Sequence, residues 1–226
     1  MIILLGLPKS GTSSFNYLFK ELGFDSYHWK YKNKYIGELI NKNKGSNKKL
    51  LSFIKSDNNK NIALTQLDVC MNKYTNFWPQ ITDYRDLYNQ NKTAIFILNK
   101  RNPIKIIKSM KNWKNENGES LFNRIIKYND DLLLDDSKLS NEYKLLYLIK
   151  THYQDIELFF KSKPNAKFII FDIDNDNISK LDQYIDIKNK SFPHINSSVY
   201  KFLKKIIIFV IIFVIILIIL KKYLRK

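Results

Sequence analysis

The sequence has little of what staples or metallates a small domain. One residue of 226 is cysteine, Cys70, so no internal disulfide framework can form. That usage fits a reducing compartment, and Cys70 reads as a small buried hydrophobe. There are three histidines, no zinc-finger spacing and no cluster of metal-ligating side chains, so no metal is expected. There is no arginine-rich block either. The formal net charge of +17 invites nucleic acid, but Lys, Asn and Ile are in excess throughout. The stretch from residue 201 onward holds seven basic residues and no acid, which leaves +10 for residues 1–200. The excess is compositional and partly confined to the tail, so nucleic acid is not expected. No internal repeat is visible. The N-terminal apolar run is too short for a signal peptide and flows directly into a loop. The length and the 45% hydrophobic content suffice for one globular domain with a core.

What is present begins at the first residue. Met1 to Leu5 is apolar, GLPKSGTSS follows at 6–14, and then FNYLFKELG. The pattern predicts a buried strand, a tight loop and an amphipathic helix whose Phe15, Leu18, Phe19 and Leu22 share one face. Gly23 is a natural stop. Such a loop aims backbone N–H groups and the positive end of the helix dipole at one point, an anion site most often filled by phosphate. Gly6 and Gly11 have the spacing of a nucleoside-triphosphate loop, G-x-x-x-x-G-K followed by Ser or Thr. Thr12, however, stands where the lysine is needed. The lysine is Lys9, inside the loop, beside a phosphate that lies close to it. The loop suits a shorter chain of anionic groups than a triphosphate.

A second anion site is expected downstream. TAIFILN at 93–99 reads as a strand buried on both faces. Arg101 follows at once, Pro103 suits a first helical turn, and Ser109 lies about two turns on. Arginine offers a planar, permanently charged fork for phosphate oxygens.

PKSGTSS resembles the 5′-phosphosulfate loop of sulfotransferases that use 3′-phosphoadenosine-5′-phosphosulfate (PAPS). Arg101 with Ser109 is similar to that family's 3′-phosphate segment. LGF at 22–24, YHW at 27–29 and FPHIN at 192–196 resemble one branch of sulfotransferase-domain proteins. The likeness runs in order over residues 1–197. It departs at Lys9-Ser10, where Arg-Thr is common, and in the tail. It implies a PAPS site made of Lys9, Ser10, Gly11, Thr12, Ser13, Arg101 and Ser109, with Lys9 stabilising the leaving 5′-phosphate oxygen and no metal required. It also implies an acceptor hydroxyl or amine, on a carbohydrate, lipid or small molecule. His28, between Tyr27 and Trp29, and Asp68, beyond the strand NIALTQLD, are both candidates to take the acceptor proton; the motifs do not choose between them.

The rest of the chain alternates strand and helix. One or two helices are expected in 32–60. Residues 74–90 are aromatic and mostly helical after Pro79, with Trp78 and Tyr84 as core or acceptor-site residues. Helices are expected at 119–136, 141–162 and 177–185, and a strand at KFIIFD, 167–172. His194 reads as structural. The expected fold is α/β and three-layered, with a central parallel sheet, a P-loop-type phosphate loop and a C-terminal transmembrane helix.

That helix is expected near 202–222, in a membrane anchor at 199–226 that follows a domain at 1–198. Ile206 to Leu220 is fifteen consecutive apolar residues between lysine pairs. It spans ~22 Å as a helix against a ~30 Å hydrocarbon core, with lysines placed to snorkel. The expectation is a single-pass tail anchor in the lipid bilayer, with the catalytic domain in the cytoplasm. The glycosylation pattern Asn196-Ser197-Ser198 would then be unused. Two rivals stand beside the enzyme reading. A P-loop kinase or hydrolase is disfavoured by the missing lysine and by the Arg101/Ser109 pair. A catalytically inactive, membrane-tethered relative is disfavoured by intact phosphate motifs.

Overall fold

A computed structural model describes residues 1–56, 60–188, 190–193 and 195. The expected anchor, His194 and Asn196 lie outside the described residues, among which no helix is long and apolar enough to cross a membrane.

In chain order the elements are β1 (Ile2–Leu4), α1 (Thr12–Glu21), β2 (Asp25–His28), β3 (Lys30–Tyr31), β4 (Lys34–Tyr35), α2 (Ile36–Gly45), β5 (Ile62–Gln66), β6 (Val69–Cys70) and β7 (Asn76–Phe77). There follow α3 (Pro79–Thr82), α4 (Tyr84–Gln90), β8 (Ile95–Lys100), α5 (Pro103–Asn112), α6 (Leu121–Tyr128), α7 (Asn141–Lys161), β9 (Lys167–Asp172) and a 3₁₀ turn over Ile178–Gln183. The apolar runs at β1, β5 and β8 become neighbouring strands of one sheet, in the order β2-β5-β1-β8-β9. Every pairing in it is parallel. The chain leaves β1 toward β2 on one side, while β8 lies on the other. The crevice outside the carboxyl ends of β1 and β8 is therefore the point where strand order reverses, and ligands of open α/β sheets gather there.

Period-two alternation sorts the core. Ile3, Leu5, Leu64, Phe96 and Leu98 face the layer that contains α2 and α4 to α7. Ile2, Leu4, Ala63 and Ile97 face Phe15, Leu18 and Phe19 of α1 and Leu181 of the 3₁₀ turn. These are the three layers expected, and Gly23 ends α1 with φ 85° as a glycine stop should.

Two local readings change, helix 119–136 and helix 177–185; the others settle within the alternatives expected. Residues 32–60 hold one helix, α2, preceded by the small β3–β4 hairpin. Leu50, Leu51 and Ile54 are buried in the core without forming a helix; Asn43, which donates to the Leu50 carbonyl at 3.1 Å, and Gln90, which accepts from the Leu50 N–H at 2.7 Å, hold that turn. α6 stops at Tyr128, where Asn129 turns its amide back onto the Ile125 carbonyl at 3.1 Å. The segment expected as helix 177–185 is the 3₁₀ turn. Trp78 and Tyr84 are core residues. One unanticipated contact bears on the site: His152 of α7, buried, bonds the Leu5 carbonyl through Nε2 at 2.7 Å. That carbonyl can only accept, so Nε2 carries the proton. Burial lowers the His152 pKa to about 4, and the neutral ring holds the exit of β1 in place.

Candidate active site

The loop between β1 and α1 is held from behind. Asn99, fully buried at the end of β8, accepts from the Gly6 N–H at 2.9 Å. Its amide donates to the Ser10 carbonyl at 3.1 Å and to the Ser10 hydroxyl at 2.6 Å. A side chain at Gly6 would lie 2.4 Å from Asn99 atoms, so glycine is required there. Lys9 takes φ 72° and Gly11 φ 86°. The left-handed turn at Lys9 is unfavourable for an L-residue by roughly 1–2 kcal/mol. It is opposed by Arg101, whose Nη1 donates to the Lys9 carbonyl at 2.9 Å. The N-cap of α1 is Gly11, which has no side chain to cap the helix, so the first-turn N–H groups and dipole are presented to the crevice.

Ser10 departs from its expected role. It is fully buried. Its hydroxyl donates to the Leu7 carbonyl, as does its N–H at 3.2 Å. Both groups shape the loop and neither faces the crevice. Lys9, Gly11, Thr12 and Ser13 do line it. Arg101 and Ser109 line the same cleft from the β8–α5 side. Asn102 caps α5 by accepting from the Ile104 N–H at 2.9 Å, which sets the helix that carries Ser109. Lys9 Nζ sits 5.6 Å from the ring centre of Trp113, at the far end of α5.

His28 and Asp68 line the opposite flank. Between Tyr27 and His28 the register of β2 against β5 slips, so that His28 pairs with Gln66 and Thr65 is skipped. A bulge of this kind re-aims a side chain. Thr65 donates its hydroxyl proton to the Tyr27 carbonyl at 3.2 Å. Its oxygen, 3.4 Å from His28 Nδ1, must then accept. This leaves Nε2 as the basic nitrogen, and it takes a hydrogen bond from Ser13 at 3.2 Å. Burial first, then Lys9 and Lys20, lower the His28 pKa to about 4. Asp68 is shifted the other way. Burial raises it to about 7 despite amide bonds from Gln66 at 3.0 Å and Gln80 at 2.8 Å. Thr12 donates to Gln66 at 3.2 Å, so a chain of hydrogen bonds runs from the loop to Asp68.

The cleft holds about 230 Å³. It gathers both expected anion sites and both candidate bases; of the expected residues only Ser10 is off its wall. A family model described as a sulfotransferase domain matches residues 1–198. The chain belongs to the sulfotransferase-domain family.

No curated protein matches the chain. Among solved structures, a shikimate kinase from Bacteroides thetaiotaomicron is similar at 12% identity and a TM-score of 0.41, over 75% of this chain and 85% of that one. Within the sulfotransferase domain Phe192 and Ile195 reach the first turn of α1. Phe192 packs its ring on Phe15 at 5.0 Å, the Ile195 N–H donates to Ser14 at 3.2 Å, and Ile195 lines the cleft.

Sequence reasoning missed Asn99, Gln66, Trp113 and Arg124. Asn99 left one signal, a polar residue at the end of an apolar strand. Replacing it with alanine orphans the buried Gly6 N–H. Asn99→Ala should lower the unfolding free energy by roughly 1–3 kcal/mol and speed hydrogen exchange at the Gly6 amide. Denaturant titration and exchange NMR read both, and wild-type values for both would contradict the role.

Proposed function

We propose that this sulfotransferase-domain protein uses PAPS as donor and transfers its sulfuryl group to an acceptor hydroxyl or amine. The observation that carries the reading is the meeting of the loop lysine and the Arg101/Ser109 pair in one cleft, with the Arg101 guanidinium bonded to the Lys9 carbonyl at 2.9 Å. Two anion cradles on neighbouring strand ends suit one ligand with phosphates on both sides of a ribose. PAPS would supply the sulfuryl group and a stable leaving group, adenosine 3′,5′-bisphosphate (PAP). The open first-turn amides of α1, with Thr12 and Ser13, would hold its 5′ end. Arg101 and Ser109 would hold the 3′-phosphate and select against ATP. Lys9 would stabilise charge on the departing 5′-phosphate oxygen. The acceptor would enter on the His28 and Asp68 flank.

Of the two candidate bases, Asp68 is the better matched. A general base works best with a pKa near the working pH, and Asp68 sits at about 7 while His28 sits at about 4. His28 then orients the Ser13 hydroxyl. The proposal includes attachment to a membrane through 202–222 with the domain in the cytoplasm, a part that rests on the apolar run between lysine pairs.

Radiolabelled sulfate transfer from PAPS to a panel of carbohydrate, lipid and phenolic acceptors tests the reading. Lys9→Ala should lower turnover by roughly 10²–10³-fold, and unchanged turnover would refute the loop assignment. Asp68 must be ionised to accept a proton, so activity should rise with pH and level off above about 7. A His28 base would already be neutral above about 4, so a flat profile between pH 5 and pH 9 would remove Asp68 from the role.

A further inference from the structure

Arg124 of α6 is fully buried on the inner wall of the cleft. An arginine is charged under all ordinary conditions and carries five N–H donors. Here Nη1 is used, donating to the Cys70 carbonyl and lying 3.4 Å from Met71 Sδ. Nε and Nη2 have no hydrogen-bond partner among the described residues. No carboxylate among those residues forms an ion pair with it. Trp113 covers the guanidinium at 4.9 Å from the ring centre, which supports a cation but satisfies no N–H. A buried cation with idle donors is unfavourable unless something anionic completes it.

The Arg124 guanidinium is anchored on the β6 side of the cleft, while α6 itself packs on both α5 and β6. The sheet order puts β5 and β8 on opposite sides of β1. Arg101 and Ser109 follow β8. Asp68 and Cys70 follow β5, and Arg124 is tied to the Cys70 carbonyl. Trp113, against which Arg124 packs, is also the ring beside Lys9. Arg124 is thus one indole away from the lysine assigned to the breaking bond, on the flank of the candidate base.

We propose that Arg124 is a specificity residue for the acceptor, and that the acceptor carries an oxyanion, a carboxylate or a sulfate or phosphate ester, which pairs with its Nε and Nη2. This rests on the sulfotransferase reading for the word acceptor; the anion site itself does not. Two N–H groups on one edge of a guanidinium match two oxygens of one oxyanion. A neutral acceptor would leave Arg124 uncompensated, so the site discriminates by charge.

The test is calorimetric titration of sodium sulfate, as the oxyanion probe, into the full chain with and without saturating PAP, for wild type, Arg124→Met and Arg124→Lys. Methionine conserves much of the buried volume, and lysine keeps the charge but loses the fork. Wild type should bind sulfate saturably in the presence of PAP. Arg124→Met should weaken that step by roughly thirtyfold or more, Arg124→Lys should fall between, and PAP affinity should be the same in all three. Equal sulfate binding in wild type and variants would overturn the proposal. A loss of PAP affinity in Arg124→Met would overturn it too, by moving Arg124 to the donor side. If Arg124→Met does not fold, Arg124→Lys decides, since wild-type sulfate affinity there would show that no fork is used. Failure of PAP to bind wild type would sink the sulfotransferase reading, while the difference between wild type and variants in sulfate alone would still test the anion site.

Discussion

The site depends on one buried amide. Asn99, the penultimate residue of β8, grips the first glycine and the fifth residue of the neighbouring loop. Its oxygen accepts one backbone N–H, and its nitrogen serves both the carbonyl and the hydroxyl of Ser10. With those bonds made, the loop cannot slide relative to β8, and Arg101, two residues beyond Asn99, is brought to the Lys9 carbonyl. His152 adds a second brace from the opposite layer, at the Leu5 carbonyl. A left-handed lysine is tolerated because the chain on both sides of it is fixed.

Held in that shape, the cleft is electrically lopsided. Lys9, Arg101 and Arg124 line it, and Asp68 is the acid on its wall. Burial drives His28 down, with Lys9 and Lys20 adding to it, and burial likewise drives Asp68 up, because desolvation disfavours whichever form is charged. One environment thus reverses the ordinary order of the two groups and sets them apart, His28 falling to about 4 and Asp68 rising to about 7. The separation yields a neutral hydrogen-bonding imidazole and a carboxyl poised near neutrality. Cys70, a neighbour of both Arg124 and Asp68, is pushed up to about 12 by burial and stays a neutral thiol.

Much of this was legible in the sequence, and the reasons are physical. Strands buried on both faces announce themselves as apolar runs, and an anion loop needs glycine, lysine and hydroxyl residues in a short space. Those two signals located β1, β8 and Lys9, while Arg101 and Ser109 were singled out by their resemblance to the family's 3′-phosphate segment. Ser10 was misassigned because spacing cannot say whether a hydroxyl faces a ligand or folds back on its own loop. Arg124 was invisible because an arginine on an amphipathic helix ordinarily reads as a solvated face; only the packing of α6 against α5 and β6 buries it. The hairpin at 30–35 and the turn at 50–54 escaped because their geometry comes from tertiary burial and left-handed residues such as Lys32 and Asn33, not from periodicity.

The central claim is that Lys9 and Arg101 serve one ligand. Calorimetric binding of PAP and of adenosine 5′-monophosphate, which lacks the 3′-phosphate, to wild type and Arg101→Ala measures it as a cycle. The account predicts that wild type prefers PAP strongly, that Arg101→Ala abolishes most of that preference, and that each ligand binds with a stoichiometry of one and displaces the other. Independent binding of two nucleotides, or a preference for PAP that survives in Arg101→Ala, would contradict it.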